Sequence, residues 1–274
     1  MGGRLYVVGT PIGNLGDMSP RAVETLGKVD FIAAEDTRVT VKLLNHFNIK
    51  KEMLSYYEHN KNSKGNLIIE RLLKGETCAL VSDAGMPAIS DPGEELVKTA
   101  RENGIEVESV PGPSALITAI SISGFPCGRF CFEGFLSMNK INRREHLESL
   151  KTEKRTMVFY EAPHKLPATL KDMLAFFGDR QIVLVRELTK IHETVFKTTL
   201  SSAIEYYAQT PPKGEFVLIV KGAEENKKEY SLKDALQIAE KLIADGGSTS
   251  SAAKEAAEIT GIKKGDIYKA ILNR

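Results

Sequence analysis

Acidic and basic side chains stand together in residues 35–38, Glu-Asp-Thr-Arg, directly after the apolar run Val29–Ala34. A further acid, Asp83, follows a second apolar run in the same way. A carboxylate in such a place can accept a proton from a hydroxyl group, and a guanidinium can bind a phosphate or orient the acid. The same acids can instead cap the next helix, because helix N-termini favour negative charge. Asp36, Asp83 and Arg38 are therefore candidates for catalysis and, equally, for capping a helix or bracing a loop.

Three turns rich in glycine and proline also follow apolar runs. They are the end of LYVVGTPIGN at Leu5–Asn14, the loop SDAGMPAISDPG at Ser82–Gly93, and PGPSA at Pro111–Ala115. In an α/β sheet, ligands bind in the crevice beside the carboxyl ends of the strands. Backbone N–H groups of a helix that starts at Ser114 can hold a carboxylate or a ribose oxygen. One such turn is typical of an ordinary strand-to-helix connection, but three of them indicate a shared ligand site.

A basic run lies further along the chain. Between residues 140 and 155, six Lys and Arg side chains stand against three Glu, which leaves a local excess of three positive charges. The run includes Lys140, Arg143 and Arg144. Such a run is typical of a solvated helix face, but beside a ligand crevice it can also bind a phosphate backbone.

Common nucleotide and zinc motifs are missing from the sequence. No GxGxxG follows a predicted strand, and neither GxxxxGK[ST] nor HExxH occurs. The sequence therefore lacks the residues that dinucleotide-binding, P-loop and zinc-hydrolase sites require. The three cysteines, Cys78, Cys127 and Cys131, do not have the paired spacing of zinc ligands. We therefore expect no metal site, and thiols that stay reduced as in a cytosol.

Chain length and net charge limit the domain organisation and the kinds of partner that we expect. A chain of 274 residues has room for two lobes and a small appendage. Lys and Arg number 37 against 36 Asp and Glu, so a nucleic acid partner must be held by a local patch and not by net charge. No apolar run of membrane-spanning length and no signal peptide is visible, so we expect a cytoplasmic protein that does not enter a membrane.

Alternating strand and helix patterns predict an α/β fold with two lobes. In residues 1–119 the alternation is typical of a doubly wound, mostly parallel sheet. Residues 120–223 predict a mixed second sheet, in which antiparallel pairing of Val195–Thr199 with Phe216–Val220 is expected because little chain separates them. The strands predicted in this second lobe are Phe130–Phe135, Thr156–Tyr160, Gln181–Arg186, Thr194–Thr199 and Glu215–Val220.

A polar linker at Glu224–Glu229 precedes a tail of three predicted helices, Ser231–Ala244, Thr249–Ile259 and Lys264–Leu272. We assign residues 229–274 to a small helical domain, because helix, short turn and helix with spaced apolar residues resembles a helix-turn-helix unit. Acidic and basic residues balance in this part of the chain. The tail is therefore equally compatible with an RNA contact and with a docking appendage.

Seven sequence blocks, in this order, resemble the tetrapyrrole methylase superfamily, and within it the bacterial branch that methylates small-subunit ribosomal RNA. The blocks are VGTPIGNLGDMSPRA, AAEDTR, SDAGMPAISDPG, VPGPSALITAI, FEGFL, FYEAPH and RELTKIHE. The resemblance covers Leu5 to about Gly222, and the tail resembles the small helical extension of that branch. The order and number of the blocks make the resemblance specific.

This resemblance implies two α/β lobes that enclose S-adenosylmethionine, in a protein that is usually a homodimer. The implied activity is methylation of the ribose 2′-hydroxyl of a decoding-centre cytidine, cytidine 1402, of 16S ribosomal RNA in the 30S subunit. Two alternatives remain open. One is a methylase of the same fold that acts on a tetrapyrrole or a modified protein side chain, and the other is an RNA-binding ribosome assembly factor without catalytic activity.

Site residues follow from the resemblance position by position. The implied cofactor-binding residues are Pro11, Asp83, Ala84, Gly85, Ile89, Ser114, Ala115, Glu161 and Leu188. The expected contacts to RNA phosphates are Arg38, Lys140, Arg143 and Arg144. Where the tetrapyrrole-methylating relatives carry Gly-Asp-Pro, this chain has Ala-Gly-Met at residues 84–86, which speaks against a tetrapyrrole substrate.

Overall fold

Five apolar segments of the first lobe form one sheet in the computed structural model, which describes residues 2–224 and 230–273. The strands are β1 (Arg4–Val8), β2 (Phe31–Ala34), β3 (Glu52–Ser55), β4 (Thr77–Val81) and β5 (Glu106–Val110). Their order across the sheet is β3-β2-β4-β1-β5, and every neighbouring pair is parallel. The predicted parallel sheet is confirmed, and all five carboxyl ends lie at one edge.

Helices cover both faces of this sheet. They are α1 (Pro20–Lys28), α2 (Thr37–His46), α3 (Lys61–Leu73) and α4 (Glu94–Glu102), with α5 (Ala115–Ile122) after the last strand. The start of α1 follows from its sequence, because the Ser19 side chain accepts a hydrogen bond from the backbone N–H of Ala22 and proline occupies the first turn. The helix continues through Gly27 and ends at Lys28.

The second lobe contains a mixed sheet in the order β6-β7-β10-β8-β9. Its elements are β6 (Phe130–Phe135), α6 (Lys140–Ser149), β7 (Thr156–Glu161), α7 (Leu166–Phe177), β8 (Gln181–Arg186), β9 (Thr194–Thr199), α8 (Leu200–Gln209) and β10 (Phe216–Val220). The predicted pairing of β9 with β10 is wrong. All five residues of β10 are buried, so it takes a central position between β7 and β8, antiparallel to both, whereas the more exposed β9 forms the edge.

One helix belongs to the second lobe although it follows the first sheet. Leu116, Ala119 and Ile120 of α5 pack in one apolar cluster with Val183 and Ile219 of the second sheet. The lobe boundary predicted at residue 119 therefore falls inside α5. The helix carries the chain from the edge of the first sheet directly into the core of the second lobe.

Residues 230–273 form a separate helical unit. It comprises α9 (Leu232–Ala244), α10 (Thr249–Thr260) and α11 (Lys264–Leu272), close to the three predicted helices. Ser231 and Asp234 form a capping box at the start of α9, and Gly261 ends α10 in a left-handed conformation. Small residues such as Ala239 and Ala256 let the helices approach closely around Ile267. Most of the predicted linker, and the tail boundary at residue 229, lie outside the described residues.

Candidate active site

Backbone hydrogen bonds join the loops that follow β1, β4 and β5. The N–H of Thr10 donates to the carbonyl of Gly85 over 2.9 Å, and the N–H of Gly85 donates to the carbonyl of Thr10 over 3.1 Å. The buried Thr10 hydroxyl lies 3.3 Å from the carbonyl oxygen of Ser82, to which it donates. The N–H of Gly9 donates to the carbonyl of Val110 over 3.0 Å. The three turns singled out in the sequence therefore form one connected edge.

Two glycines, Gly9 and Gly112, allow the first and third of these loops to cross, because a side chain on either one would be pushed into the backbone of the other. A Cβ atom added to Gly9 would lie 2.7 Å from the Cα of Gly112 and 2.6 Å from the sulfur of Met86. Real Cβ atoms do not approach so closely, so a side chain at Gly9 would push the loops apart. Gly85 has a φ of +84°, a conformation that glycine adopts at little cost.

A cavity of about 540 Å³ lies where these loops face the second lobe. Seven of the residues assigned to cofactor binding from the sequence line it: Ala84, Gly85, Ile89, Ser114, Ala115, Glu161 and Leu188. Pro11 and Asp83 do not line it, but their chain neighbours Ile12 and Ala84 do. Loops distant in sequence thus bring most of the proposed cofactor residues around one space.

Several lining residues were missed by the sequence reasoning, and Tyr160, Phe135, Asp91 and His164 are the most informative of them. The hydroxyl of Tyr160 accepts a hydrogen bond of 3.0 Å from the N–H of Leu116 at the start of α5, which joins the second sheet to that helix. The alternation along β7 carries a signal for Tyr160, because a residue two places after the core residue Val158 must share its face.

The carboxylate of Glu161 is buried and fully engaged. Its Oε1 atom accepts from the N–H of Ala162 over 2.8 Å, and its Oε2 atom accepts from the hydroxyl of Thr169. Thr169 in turn accepts from Nη2 of Arg143 over 2.9 Å, and Nε of Arg143 lies 2.6 Å from a carboxylate oxygen of Asp172. A chain of polar contacts from α6 through α7 therefore holds this wall of the cavity.

Asp36 caps the start of α2. Its Oδ1 atom accepts from the backbone N–H of Arg38 over 2.8 Å, and its carboxylate also pairs with the Arg38 guanidinium. Hydrogen bonds from Arg38 lower the pKa of Asp36 to about 2. Neither Asp36 nor Arg38 lines the cavity, so the structure does not bring this pair of predicted catalytic residues to it.

A different aspartate lies on the cavity wall. Asp83 stands at the sheet edge and accepts from the N–H of Asp36 over 3.1 Å, outside the cavity. Asp91, eight residues later in the same loop, lines the cavity. Burial raises the pKa of Asp91 above its ordinary value. Its loop position in SDAGMPAISDPG was visible in the sequence, but its place on the cavity wall was not.

The three predicted RNA contacts of α6 divide into two kinds. Lys140 and Arg144 are exposed, as expected of side chains that could meet phosphates. Arg143 is mostly buried and engages Asp172 and Thr169 within the lobe. The guanidinium of Arg143 is thus engaged inside the protein, unlike the side chains of Lys140 and Arg144. Arg38 remains exposed at the sheet edge, paired with Asp36.

The chemistry of the wall suits a nucleoside-sized cation. Apolar side chains, including Ile12, Leu188 and Val185, supply surface for a flat ring system, while Asp91 and Glu161 provide negative charge. Within residues 2–224 and 230–273, no group of three or more His, Cys, Asp or Glu side chains is arranged to hold a metal ion. Over the same stretches, the helices are too short or too polar to cross a bilayer.

Comparisons with known proteins fit this geometry. Family models described as Tetrapyrrole (Corrin/Porphyrin) Methylases and as the RsmI C-terminal HTH domain match residues 4–204 and 229–274. Ribosomal RNA small subunit methyltransferase I of Synechocystis sp. is 48% identical over 97% of this chain and 96% of its own length. The protein of the same name from Escherichia coli is 44% identical over 99% of this chain and 96% of its own length.

Among solved structures, uroporphyrin-III C-methyl transferase from Thermus thermophilus, complexed with S-adenyl homocysteine, superposes with a TM-score of 0.55. The superposition covers 80% of this chain and 97% of that chain at 18% identity, so it shows a shared fold. The family match, in contrast, extends over most of the sequence and both parts of the chain. The chain therefore belongs to the tetrapyrrole methylase family and, within it, groups with the ribosomal RNA small subunit methyltransferases I.

Proposed function

We propose that this protein transfers a methyl group from S-adenosylmethionine to the ribose 2′-hydroxyl of a decoding-centre cytidine in 16S ribosomal RNA. The observation that carries the proposal is the cavity around which the motif-bearing loops of both lobes meet. Relatives with almost the same length and 44% to 48% identity, named for ribosomal RNA methylation, support the choice of substrate.

The cavity offers suitable partners for each part of this cofactor. Ile12, Ile89 and Leu188 would pack against the adenosine, and backbone groups at Ser114 and Ala115 would hold its polar edge. The acidic wall complements a positively charged sulfonium and amine. When bound, S-adenosylmethionine supplies a methyl group on a positively charged sulfonium. Its transfer leaves a neutral thioether, so the methyl group is already activated for transfer. The protein then contributes mainly position and exclusion of water.

Asp91 is the proposed general base of this reaction. A ribose hydroxyl is a weak nucleophile until its proton is removed, so a base must reach it at the cavity. Asp91 lines the cavity, and burial raises the pKa of its carboxyl, which makes it a better proton acceptor than an ordinary aspartate once it is ionised. The role that the sequence suggested for Asp36 or Asp83 therefore moves to Asp91.

A homodimer and a cytoplasmic location belong to the same proposal. Both are supported by the family resemblance, since an enzyme that modifies ribosomal subunits meets its substrate in the cytoplasm. Light scattering on the purified protein tests the first of these, with a particle of twice the chain mass expected. A monomer at micromolar concentration would contradict the homodimer and leave the reaction unaffected.

Transfer of a labelled methyl group tests the reaction itself. The purified protein is incubated with labelled S-adenosylmethionine and 30S subunits from cells that lack the gene, and the acceptor is then identified after nuclease digestion. Label in a 2′-O-methylated cytidine of the decoding centre is expected. Label in a tetrapyrrole or a protein would support the same fold with another substrate, and RNA binding without label would support an assembly factor.

A further inference from the structure

Phe135 occupies an unusual position at the end of β6. It lines the cavity, yet 56% of its surface is exposed to solvent. Its ring contacts that of Tyr160 edge to face, with 5.5 Å between the centroids. Phe135 is therefore a large apolar side chain that lines the cavity and is still open to solvent.

A β-bulge places Phe135 on this face. The pairing of β6 with β7 shifts between Phe132 and Gly134, and Gly134 has a φ of +62°. Residues 132 and 135 of a regular strand would point to opposite faces. Both of these phenylalanines contact the ring of Tyr160, at 5.0 Å and 5.5 Å, so the bulge turns Phe135 to the cavity side. Bulges beside active sites commonly redirect one side chain in this way.

The surface that follows Phe135 has the composition of an RNA-binding face. Met138 and Ile141 are 75% and 67% exposed, and the cationic side chains of Lys140 and Arg144 are exposed between and after them. Proteins that bind single-stranded RNA combine stacking surfaces with cations that contact the phosphates. The positive charge and the apolar surface therefore favour a nucleic acid strand as the occupant, and an unpaired nucleotide in particular.

We infer that Phe135 is the platform on which the target nucleobase stacks, with Lys140 and Arg144 holding the flanking phosphates. The inference rests on the proposed function, because it assigns a substrate contact to the same reaction. A base stacked on Phe135 is outside its own helix, so its ribose is free to reach the cavity. Phe135 acts as a positioning residue, and the chemistry remains with the groups inside the cavity.

Three substitutions separate stacking from simple packing. Phe135→Trp keeps an aromatic face, Phe135→Leu keeps apolar bulk without one, and Phe135→Ala removes both. Tyr206→Ala is the matched control, because Tyr206 is an exposed aromatic residue on α8 that does not line the cavity. Methyl transfer to 30S subunits gives kcat and KM for RNA, and calorimetry gives the Kd of S-adenosylmethionine.

Phe135→Leu and Phe135→Ala are expected to lower kcat/KM for RNA by about 10- to 100-fold, while Phe135→Trp and Tyr206→Ala stay within about threefold of the native protein. The Kd of S-adenosylmethionine should change less than about twofold in all four variants. A native rate in Phe135→Leu, or a loss that appears in the cofactor Kd, would overturn the stacking role alone. If the native protein labels no RNA, the proposed function and this inference fail together.

Discussion

Nη2 of Arg143 donates a hydrogen bond of 2.9 Å to the hydroxyl of Thr169, and this contact links α6 to the cavity wall. The hydroxyl of Thr169 in turn donates to the buried carboxylate of Glu161, so Thr169 connects Arg143 to Glu161. The arrangement explains why neighbouring basic residues have different tasks. Arg143 maintains the shape of the site, whereas Arg144 is free to face a substrate.

Replacing Thr169 with valine should destabilise the protein and weaken cofactor binding, because Thr169 supports the Glu161 wall of the cavity. The substitution keeps shape but leaves an oxygen of the buried Glu161 carboxylate without its donor, which costs about 1–3 kcal/mol of unfolding free energy. Chemical denaturation measures this cost, and calorimetry should show weaker binding of S-adenosylmethionine. Thr40→Val is the control, since Thr40 is also buried and helical but lies in the first lobe. Equal effects of the two substitutions would contradict the role of Thr169.

Salt dependence of RNA binding should distinguish the basic residues of α6. The double substitution Lys140→Gln and Arg144→Gln is expected to weaken binding and to reduce the slope of log K against log salt by up to about two ion contacts. Arg143→Gln should leave that slope unchanged, because its guanidinium is engaged by Asp172 and Thr169. Filter binding across a salt series gives both slopes. An unchanged slope in the double variant would exclude this face from RNA binding.

Asp91→Asn should abolish methyl transfer while it stabilises the fold. Burial raises the pKa of Asp91, so the folded protein favours the protonated form, and ionisation as the pH rises through that pKa opposes stability. The neutral amide removes this opposition at neutral pH. The native rate should fall when the pH drops below the raised pKa, which lies above the ordinary aspartate value of about 3.9. A pH profile and thermal melts measure both effects, and an active Asp91→Asn variant would refute the assignment.

Asp36→Ala should lower the stability of the protein and leave the rate of methyl transfer nearly unchanged. With its pKa lowered to about 2, Asp36 stabilises the folded protein above its ordinary pKa, and that contribution is lost as the pH falls towards 2. Loss of the cap should therefore lower the melting temperature at neutral pH. The rate of methyl transfer under saturating cofactor should remain within about twofold of the native rate. A large loss of rate with an unchanged melting temperature would restore Asp36 as a base.

Adding one methyl group at Gly9 should disrupt the crossing of the loops. Because the new Cβ atom would lie 2.7 Å from the Cα of Gly112, Gly9→Ala is expected to cost about 1–3 kcal/mol of unfolding free energy and to weaken cofactor binding. Gly27→Ala is the matched control, since a Cβ atom there meets nothing within 4 Å. In the helix α1 that substitution should stabilise by about 0.5–1 kcal/mol. Similar stability of the two variants would show that the crossing tolerates a side chain.

Local sequence signals predicted the fold well where the structure of an element depends mainly on its own residues. The strands predicted at Phe130–Phe135, Gln181–Arg186 and Thr194–Thr199 all lie where the sequence placed them. The position of β10 was not predictable from chain separation, because burial on both sides determines which strand takes the centre of a sheet. Strand order is a property of the assembled core.

In the candidate active site, too, the sequence located individual residues but did not settle their roles. Motif blocks located Gly85, Ser114 and Glu161, and the structure brings these residues to one cavity. The sequence could not decide whether Asp36 caps a helix or takes a proton, since both roles use the same residue at the same place. Only its partner Arg38 and its distance from the cavity separate them. Phe135 was missed because a bulge changes which face of the strand it occupies.

Calorimetric titration of S-adenosylmethionine into the pure protein tests most directly whether the cavity between the lobes is the methyl-donor site. The native chain should bind one molecule per chain. Ala84→Trp, which fills the cavity from an exposed position, should abolish binding without changing the circular dichroism spectrum, whereas Ala208→Trp on the exposed side of α8 should bind normally. Unchanged binding in Ala84→Trp, or no binding to the native protein, would contradict the account.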